Sequence, residues 1–532
     1  MNTSSTDDLL ARYRKAVERR GRWEPLWQEC YAYALPQREH APSGHGAGST
    51  RTASLFDGTA PDAVDQLAAS LLGELTPPWG EWFALVPGGE ASPEVSMQAG
   101  PALERITAIV RRHFEHANFA IEMHQCFLDL VTVGSACLMF EEAPAGGPSA
   151  FHFTAVPLSQ VAFEESPDGR LDTTYRRSEL DHKNLHARFP NAALSDLSRT
   201  PNRLASGADE PEKNAVVEVV TPEEDGFSYT AVLEADAGNT TGARILATGV
   251  FPQSPFINFR WLKAPGEIYG RSPVMKALPD IKTANKVVEL VLKNATIAVT
   301  GIWQAEDDGV LNPATVKLTP GTIIPKAVGS QGLTPLAAPG RFDVSEIVLG
   351  DLRARVRKAL LADSLSQINA PSMTATEVLQ RSAEMTRLLG ATYGRLQSEL
   401  MIPLIRRALG ILSRRGDIPP VDTDGRAIAL NWRSPLARAY SRDEAQDALH
   451  WLDAVRGLGP EAMAEINAPA MVRWLARAFD VPADLIRNTP DILGNSSGTD
   501  ADFGMENGSS LPAALESSAP ADQPAPEGAS VP

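Results

Sequence analysis

The sequence predicts an α+β fold, predominantly helical, with an antiparallel β region and a disordered C-terminal tail. Three observations predict it. Apolar residues recur at helical spacing through the first quarter of the chain and again from residue 278. Between 135 and 261 the period falls to 2, the alternation of strands with one buried face. Residues 491–532 are rich in Ser, Gly, Pro and Ala, with seven acidic residues, no basic ones and few large apolar ones. Such a segment buries too little to offset the entropy of ordering it.

The elements follow in order. Asp7 to Arg20 reads as a helix interrupted by Gly21. A second helix carries Trp23, Trp27 and Tyr31 at i, i+4 spacing and stops before Pro36, a stripe expected to pack in the core. Residues 41–50 read as a flexible loop. Thr59-Ala-Pro61-Asp62 opens a helix with Pro in its first turn, running to Leu75 and broken at Thr76-Pro77-Pro78. A helical pair is expected at 102–117 and 120–133. Strands are expected at Ser135–Glu141, Phe151–Glu165, Leu171–Glu179, Ala215–Thr221, Phe227–Glu234, Arg244–Phe251 and Phe256–Trp261. Ser166-Pro167-Asp168-Gly169 forms a hairpin turn, and a helical insertion falls near 182–199.

From 278 helical spacing returns. Ile281, Ala284, Val288, Val291, Ala295 and Ala298 make one apolar seam, while Lys282, Lys286, Glu289 and Lys293 share another face. Residues 299–345 interrupt the pattern with short β-like pieces at Thr315–Leu318 and Thr322–Pro325. A basic helix follows, containing Arg353, Arg355, Arg357 and Lys358, and then a loop, Gln367 to Met373. Thr374 and Glu377 have capping-box spacing and open a long helical segment reaching about Ser413. Leu389, Leu396, Leu400 and Leu404 line one side of it. Glu377–Arg381 and Arg395–Glu399 are i, i+4 pairs on the other, and Gly390, Gly394 and Pro403 predict bends. Helices at 441–456, 460–466 and 469–479 complete the chain before the tail.

Composition narrows the function. The 532 residues exceed one ordinary core, so several domains are expected. Lys+Arg 49 against Asp+Glu 66 gives a net charge of −17, which disfavours wrapping nucleic acid with the whole surface. Three cysteines, Cys30, Cys126 and Cys137, cannot build a disulfide framework and suit a reducing compartment. The N-terminus lacks a signal-peptide core. The most apolar stretch, Val287 to Trp303, is interrupted by Glu289 and Lys293, so no membrane span is predicted.

No catalytic constellation emerges, and the chain does not read as an enzyme. G-x-x-x-x-G-K-[ST], H-E-x-x-H and C-x-x-C are absent, and no cofactor or metal is expected. Gly494-Asn495-Ser496-Ser497-Gly498 matches G-x-S-x-G, but it falls in the expected disordered tail, without the strand and helix a nucleophile elbow requires. His113, His116, His124 and Cys126 cluster in sequence, yet read as structural residues of a helix pair. Glu141-Glu142 and Glu223-Glu224 read as solvated turns.

Several segments carry a resemblance. Gly266-Glu-Ile-Tyr269-Gly270-Arg271-Ser-Pro273 and Leu278-Pro-Asp280-Ile281-Lys282-Thr-Ala-Asn285 resemble the head-to-tail connector (portal) proteins of short-tailed, podovirus-type bacteriophages. So do Thr374-Ala-Thr376-Glu377-Val378 with Arg381, Glu384 and Leu388-Leu389-Gly390, and Leu396-Gln-Ser-Glu399-Leu400-Met-Ile-Pro403-Leu404. Weaker matches are Tyr31 to Pro36, Leu55-Phe56-Asp57-Gly58 and Trp82-Phe83. They occur in the family's order and span most of residues 10–420.

The resemblance implies the portal fold of wing, stem, clip and crown, with the β region in the wing. It implies a twelve-subunit ring at one capsid vertex, a channel for double-stranded DNA, and docking of the terminase motor and tail adaptor proteins. The major capsid and scaffold proteins are further implied partners. The location implied is the virion, after assembly in the host cytoplasm. On this pattern residues 1–277 are wing, 278–298 the first stem helix, 299–345 the clip and 346–366 the second stem helix. Residues 367–373 are then a channel loop, 374–436 the long wing helix and its connection, 437–490 the crown and 491–532 the acidic tail. Lys282, Lys286, Lys293, Arg353, Arg357, Gln367 and Asn369 become candidates for facing DNA. A terminase-like packaging enzyme and a cytosolic scaffold unrelated to phages are the alternatives.

Overall fold

The computed structural model describes residues 3–38, 54–88, 93–144, 146–190, 192, 213–234, 244–300, 303–305, 328, 333–335, 342–362, 390–421, 423 and 428–479. Several expectations lie outside these residues: the 41–50 loop, the β pieces at 315–318 and 322–325, the loop with Gln367 and Asn369, the 374–377 capping box and the 491–532 tail.

Mixed helix and antiparallel sheet is what the described residues form. Helices α1 (Thr3–Gly21), α2 (Glu24–Ala34) and α3 (Thr59–Leu75) come first. Trp27 and Tyr31 are buried in the main core, as the aromatic stripe predicts. Helix α4 (Pro93–Glu115) begins nine residues before the expected start at 102 and accommodates Pro101. Helix α5 (Phe119–Val133) ends at Gly134, whose φ of +79° is open to glycine without strain.

The expected single β region is divided into two sheets. Strands β2 (Ser135–Glu142), β3 (Phe151–Val156) and β9 (Phe256–Arg260) form one, in the order β3-β2-β9. Strands β4 (Val161–Glu164), β5 (Thr173–Asp181), β6 (Lys213–Glu223), β7 (Gly226–Leu233) and β8 (Arg244–Phe251) form the other, in sequence order. The expected strand Phe151–Glu165 is therefore two strands in different sheets. Pro157, which has no N–H to give a ladder, starts the turn between them, with Gln160 N donating to Pro157 O at 2.9 Å. The Ser166–Gly169 turn joins β4 to β5 as expected, with Gly169 at φ +80°. Of the 182–199 insertion the described helix is α6 (His182–Arg188), capped by Asp181, which accepts from Asn184 N at 2.7 Å.

Outside the 299–345 interruption, two further strands go unread in the sequence. β1 (Phe83–Pro87) pairs antiparallel with β12 (Ile428–Trp432), joining segments more than 340 residues apart (Phe83 opposite Trp432). Glu141 and Glu142 are also not in a turn. They end β2, where Glu141 pairs with Arg188 at 3.2 Å and Glu142 with Arg414 at 3.5 Å.

Helix α7 (Pro273–Thr300) starts five residues before 278. Strands β10 (Trp303–Ala305) and β11 (Leu333–Pro335) pair antiparallel within the interruption. Helix α8 (Phe342–Ala359) then runs back against α7. It ends before residue 366, because the chain turns at Leu361, a non-glycine residue at φ +57°. Residues 390–396 are helical and lead through a π-helical turn, Gln397–Met401, into α9 (Ile402–Arg415). Pro403 cannot donate to the preceding ladder, which places the irregularity where a bend was expected. Helices α10 (Pro435–Leu458), α11 (Pro460–Ala464) and α12 (Ala468–Ala478) follow.

Candidate functional site

The long α7–α8 pair is the element that most needs explaining, and its root is built by the segment Gly266–Pro273. Tyr269 is buried, its ring 4.9 Å edge-on from Trp27, and burial pushes its hydroxyl up to about 12. Gly270 passes so close to Gly134 that a Cβ there would lie 1.9 Å from the Gly134 carbonyl oxygen. Arg271 lies 4.6 Å over the Trp23 ring and pairs with Glu267. Ser272 accepts from Met275 N at 2.9 Å, which caps α7, and donates to Thr132 O at 2.8 Å. Pro273 takes the first helical position, where no N–H is needed.

A second clamp holds the pair more than three turns further along α7. Asn285 accepts from Phe56 N at 2.6 Å and Asp57 N at 3.1 Å, and donates to Ser54 O at 3.0 Å. Asp57 accepts from Thr59 N at 3.0 Å and pairs with Arg353 of α8 at 2.8 Å. Burial works against the Asp57 charge, but the Thr59 hydrogen bonds and the Arg353 guanidinium outweigh it and hold the carboxyl below its usual range. Arg355 pairs with Asp280 and ties α8 to α7. Leu55–Gly58 and Asn285, far apart in sequence, thus form one joint.

A third anchor is a buried ion network. Arg260, wholly buried on β9, binds Glu399 of the π turn at 2.6 Å, Glu165 at 3.2 Å, and the carbonyls of Gly169 at 2.8 Å and Ile268 at 3.0 Å. Arg395 reaches the same Glu399 at 2.9 Å. Glu399 therefore turns into the core and meets Arg260 as well as the i, i+4 partner Arg395 that its spacing gives. A helical wheel cannot show this, because the π turn rotates residues 397–401 away from 3.6-residue spacing.

Four of the channel candidates pair with carboxylates. Lys282 pairs with Glu29 at 3.1 Å and lies 6.0 Å from the Tyr33 ring centre. Lys286 and Lys293 share Glu289, at 2.9 and 2.6 Å. Arg353 pairs with Asp57, as above. Arg357 is half-buried on α8. Gln367 and Asn369 lie outside the described residues. The structure brings Lys286, Lys293 and Glu289 together and leaves Arg353 nearer the root.

The apolar seam grades along the pair. Ile281 and Ala284 are buried, while Val288, Val291 and Ala295 are half-buried. Toward the far end Leu290 (53%), Leu292 (50%), Ile347 (75%) and Val348 (46%) are exposed. His113 accepts from Ala150 N at 3.1 Å, Cys126 is buried, and among the described residues no group of His, Cys, Asp or Glu is placed to hold a metal. Nor is any described helix long and apolar enough to cross a membrane.

A body of helix-flanked sheets that roots a long helical pair defines the class, and comparison with known proteins gives the family. Residues 6–486 match the bacteriophage head to tail connecting protein family, and the chain belongs to it. It is similar to the "Probable portal protein" of Bordetella phage BPP-1, 23% identical over 91% of this chain and 88% of that one. It is also similar to the portal proteins of Enterobacteria phage T3 (23% identical, 78% and 76% covered) and Escherichia phage T7 (22%, 78% and 76%). A chain of the virion of a native gene transfer agent particle overlays with a TM-score of 0.35 at 12% identity, over 75% of this chain and 88% of that one.

Proposed function

We propose that this chain is the subunit of a portal ring of twelve at one capsid vertex. The ring encloses the channel through which double-stranded DNA enters and leaves, and it docks the packaging motor and then the tail. The observation that carries this is the α7–α8 pair. Its root is locked by Ser272, Asn285 and Asp57–Arg353, while its far half exposes Leu290, Leu292, Ile347 and Val348. At about 1.5 Å per residue α7 is about 42 Å long, enough to line a passage. Apolar residues exposed on a rooted pair are covered when copies stand side by side. In this reading α7 and α8 are the stem, the interruption with β10 and β11 the clip, and the 437–490 helices the crown.

Charge suits passage over grip. Lys286 and Lys293 enclose one Glu289, so the trio carries a net +1 spread over an exposed face. Many fixed phosphate contacts would hold DNA still and make movement strongly salt-dependent. Lys282, Lys286, Lys293, Arg353, Arg357, Gln367 and Asn369 are the proposed lumen set. The major capsid and scaffold proteins, terminase and tail adaptors are the proposed partners. Electron microscopy of the purified full chain tests the ring. Closed rings near twelve times 57.1 kDa are expected. A monomer that never assembles, alone or with scaffold protein, contradicts it.

A further inference from the structure

The two larger sheets have four edges, β3, β9, β4 and β8. Three of them meet side chains of the same chain. On β3, Phe153 N donates to Asn118 Oδ1 at 3.0 Å and Ala155 N to Glu122 Oε2 at 2.8 Å. On β9, Arg260 N donates to Glu399 Oε2 at 3.0 Å. On β4, Phe163 N donates to the Tyr269 hydroxyl at 3.4 Å, and Val161 O accepts from Arg20 Nη1 at 3.0 Å.

The fourth edge, β8, is different, and the register shows which of its groups turn outward. Glu234 N donates to Ala215 O at 2.9 Å, so even-numbered residues of β7 point their N–H and C=O at β6. Phe227, Tyr229 and Ala231 then point at β8, opposite Phe251, Gly249 and Ala247. The N–H and C=O of Thr248 and Val250 therefore face away from the sheet. Both residues are exposed, Val250 at 67%, and no described residue bonds to these groups. From Ile245 to Phe251 the strand carries no Pro, no Lys and no other charge that would blunt the edge.

Such a row takes an extended main chain. A second copy offers no free edge in these sheets except its own β8, and β8 on β8 is a two-fold contact. Neighbours in a cyclic ring are not related by a two-fold, so on the ring reading above the strand belongs to a different protein. Charge sets its chemistry. At the start of β8, Arg244 and Arg177 balance Glu179 and Glu234. At its end, a Cβ on Gly226 would lie 2.5 Å from Phe251 O, so the exposed Glu223-Glu224-Asp225 turn stands beside β8. Arg407, under the Phe251 ring, is buried and bound to two carbonyls. An antiparallel strand begins beside Phe251, so its first residues meet the acids.

We propose that the outer edge of β8 receives an antiparallel strand from a different protein, basic in its first residues and uncharged beyond them.

Fluorescence anisotropy of the full chain with labelled synthetic peptides tests it. The probe has two lysines followed by alternating valine and threonine. One control carries the lysines last, and another is the probe N-methylated along its length. The probe binds, and each control binds about tenfold more weakly or not at all. Val250→Pro removes only an outward N–H, and Val250→Lys puts a charge on an exposed edge position. Each weakens binding about tenfold with the melting temperature unchanged. No binding by the probe, equal binding by the N-methylated control, or variants that bind like the parent overturn the edge. Equal binding by the lysine-last control overturns the stated orientation. Cys30, Cys126 and Cys137 are buried, so Thr248→Cys reports alone. A bismaleimide-linked pair of that variant, abolished by Val250→Pro, shows β8 meeting its twin and overturns the foreign strand. Mass photometry of the same samples separates the two readings. Rings that do not bind the probe overturn this edge and leave the ring. A chain that binds the probe and never exceeds monomer mass overturns the ring and leaves the edge.

Discussion

The root of the α7–α8 pair and the α10–α12 layer are both helix-rich, yet they are built by opposite rules. At the root the groups are closed among themselves: Tyr269 against Trp27, Gly270 against Gly134, Arg260 against Glu399 and Glu165, Asp57 against Arg353. In the α10–α12 layer, as in the far half of α7–α8, large apolar residues stand in solvent. The difference teaches which parts are finished within one chain. The root is tied by polar groups that meet partners within the same chain: Ser272 with Thr132 and Met275, Asn285 with Ser54, Phe56 and Asp57, and Arg260 with Glu399 and Glu165. Among the described residues the outlying helices leave large apolar side chains uncovered.

Perturbations of the root should therefore be severe and local to one chain, and those of the outer helices mild in the isolated chain. The largest effect is expected from Gly270→Val, whose side chain would meet the backbone at Gly134 and cannot be relieved by a rotamer change. Loss of soluble, cooperatively melting protein is expected, beyond about 4 kcal/mol. A variant that melts like the parent would show that the root tolerates separation of its two glycine strands.

Next is Glu399→Ala, which leaves Arg260 buried with one carboxylate removed. About 3–5 kcal/mol is expected from denaturant unfolding. Arg260→Met combined with Glu399→Leu should recover much of it, since the cost lies in the uncompensated charge. If the double variant is no better than the single, the network stabilises by geometry and not by charge balance.

Asp57→Asn should cost on the order of 1 kcal/mol near neutral pH, reduced by solvent screening at Arg353. Its carboxyl is held below its usual range, so its contribution is present above the unfolded value of about 3.9 and is lost as pH falls through the folded value. The melting temperature of the parent should fall toward that of Asp57→Asn as pH is lowered from 5. Parallel curves would show that the ion pair does not anchor α8.

The smallest stability effect is expected from Lys286→Ala and Lys293→Ala, whose side chains are mostly exposed. Melting temperatures should match the parent, while DNA packaged per particle or its salt dependence shifts if these residues face the lumen. A large fall in melting temperature would instead assign them to the root.

Much of this was legible in the sequence because it depends on local spacing. The Trp27–Tyr31 stripe, the Thr59 helix start, the Ser166–Gly169 turn and the helices expected at 441–456, 460–466 and 469–479 are read from periodicity and turn residues a few positions apart. The root was legible only in pieces. The helix through Asn285 is read from its spacing, though not its start at Pro273, and nothing near Asn285 says that its amide will hold Ser54, Phe56 and Asp57. Strands β1 and β12 escape the sequence because each is only five residues long and each exists through the other. The contact of Glu399 with Arg260 was not legible because a π turn breaks the wheel.

What the sequence determined by itself is the order and kind of most elements, since helix and strand periodicity, capping and turn chemistry act within a few residues. What only the tertiary structure decided is the partnering: which sheet a strand joins, which carboxylate meets which guanidinium, and which apolar stripes stay uncovered. Those depend on groups brought together from hundreds of residues away, where the energy of burial and charge pairing resides in the contact and not in either segment alone.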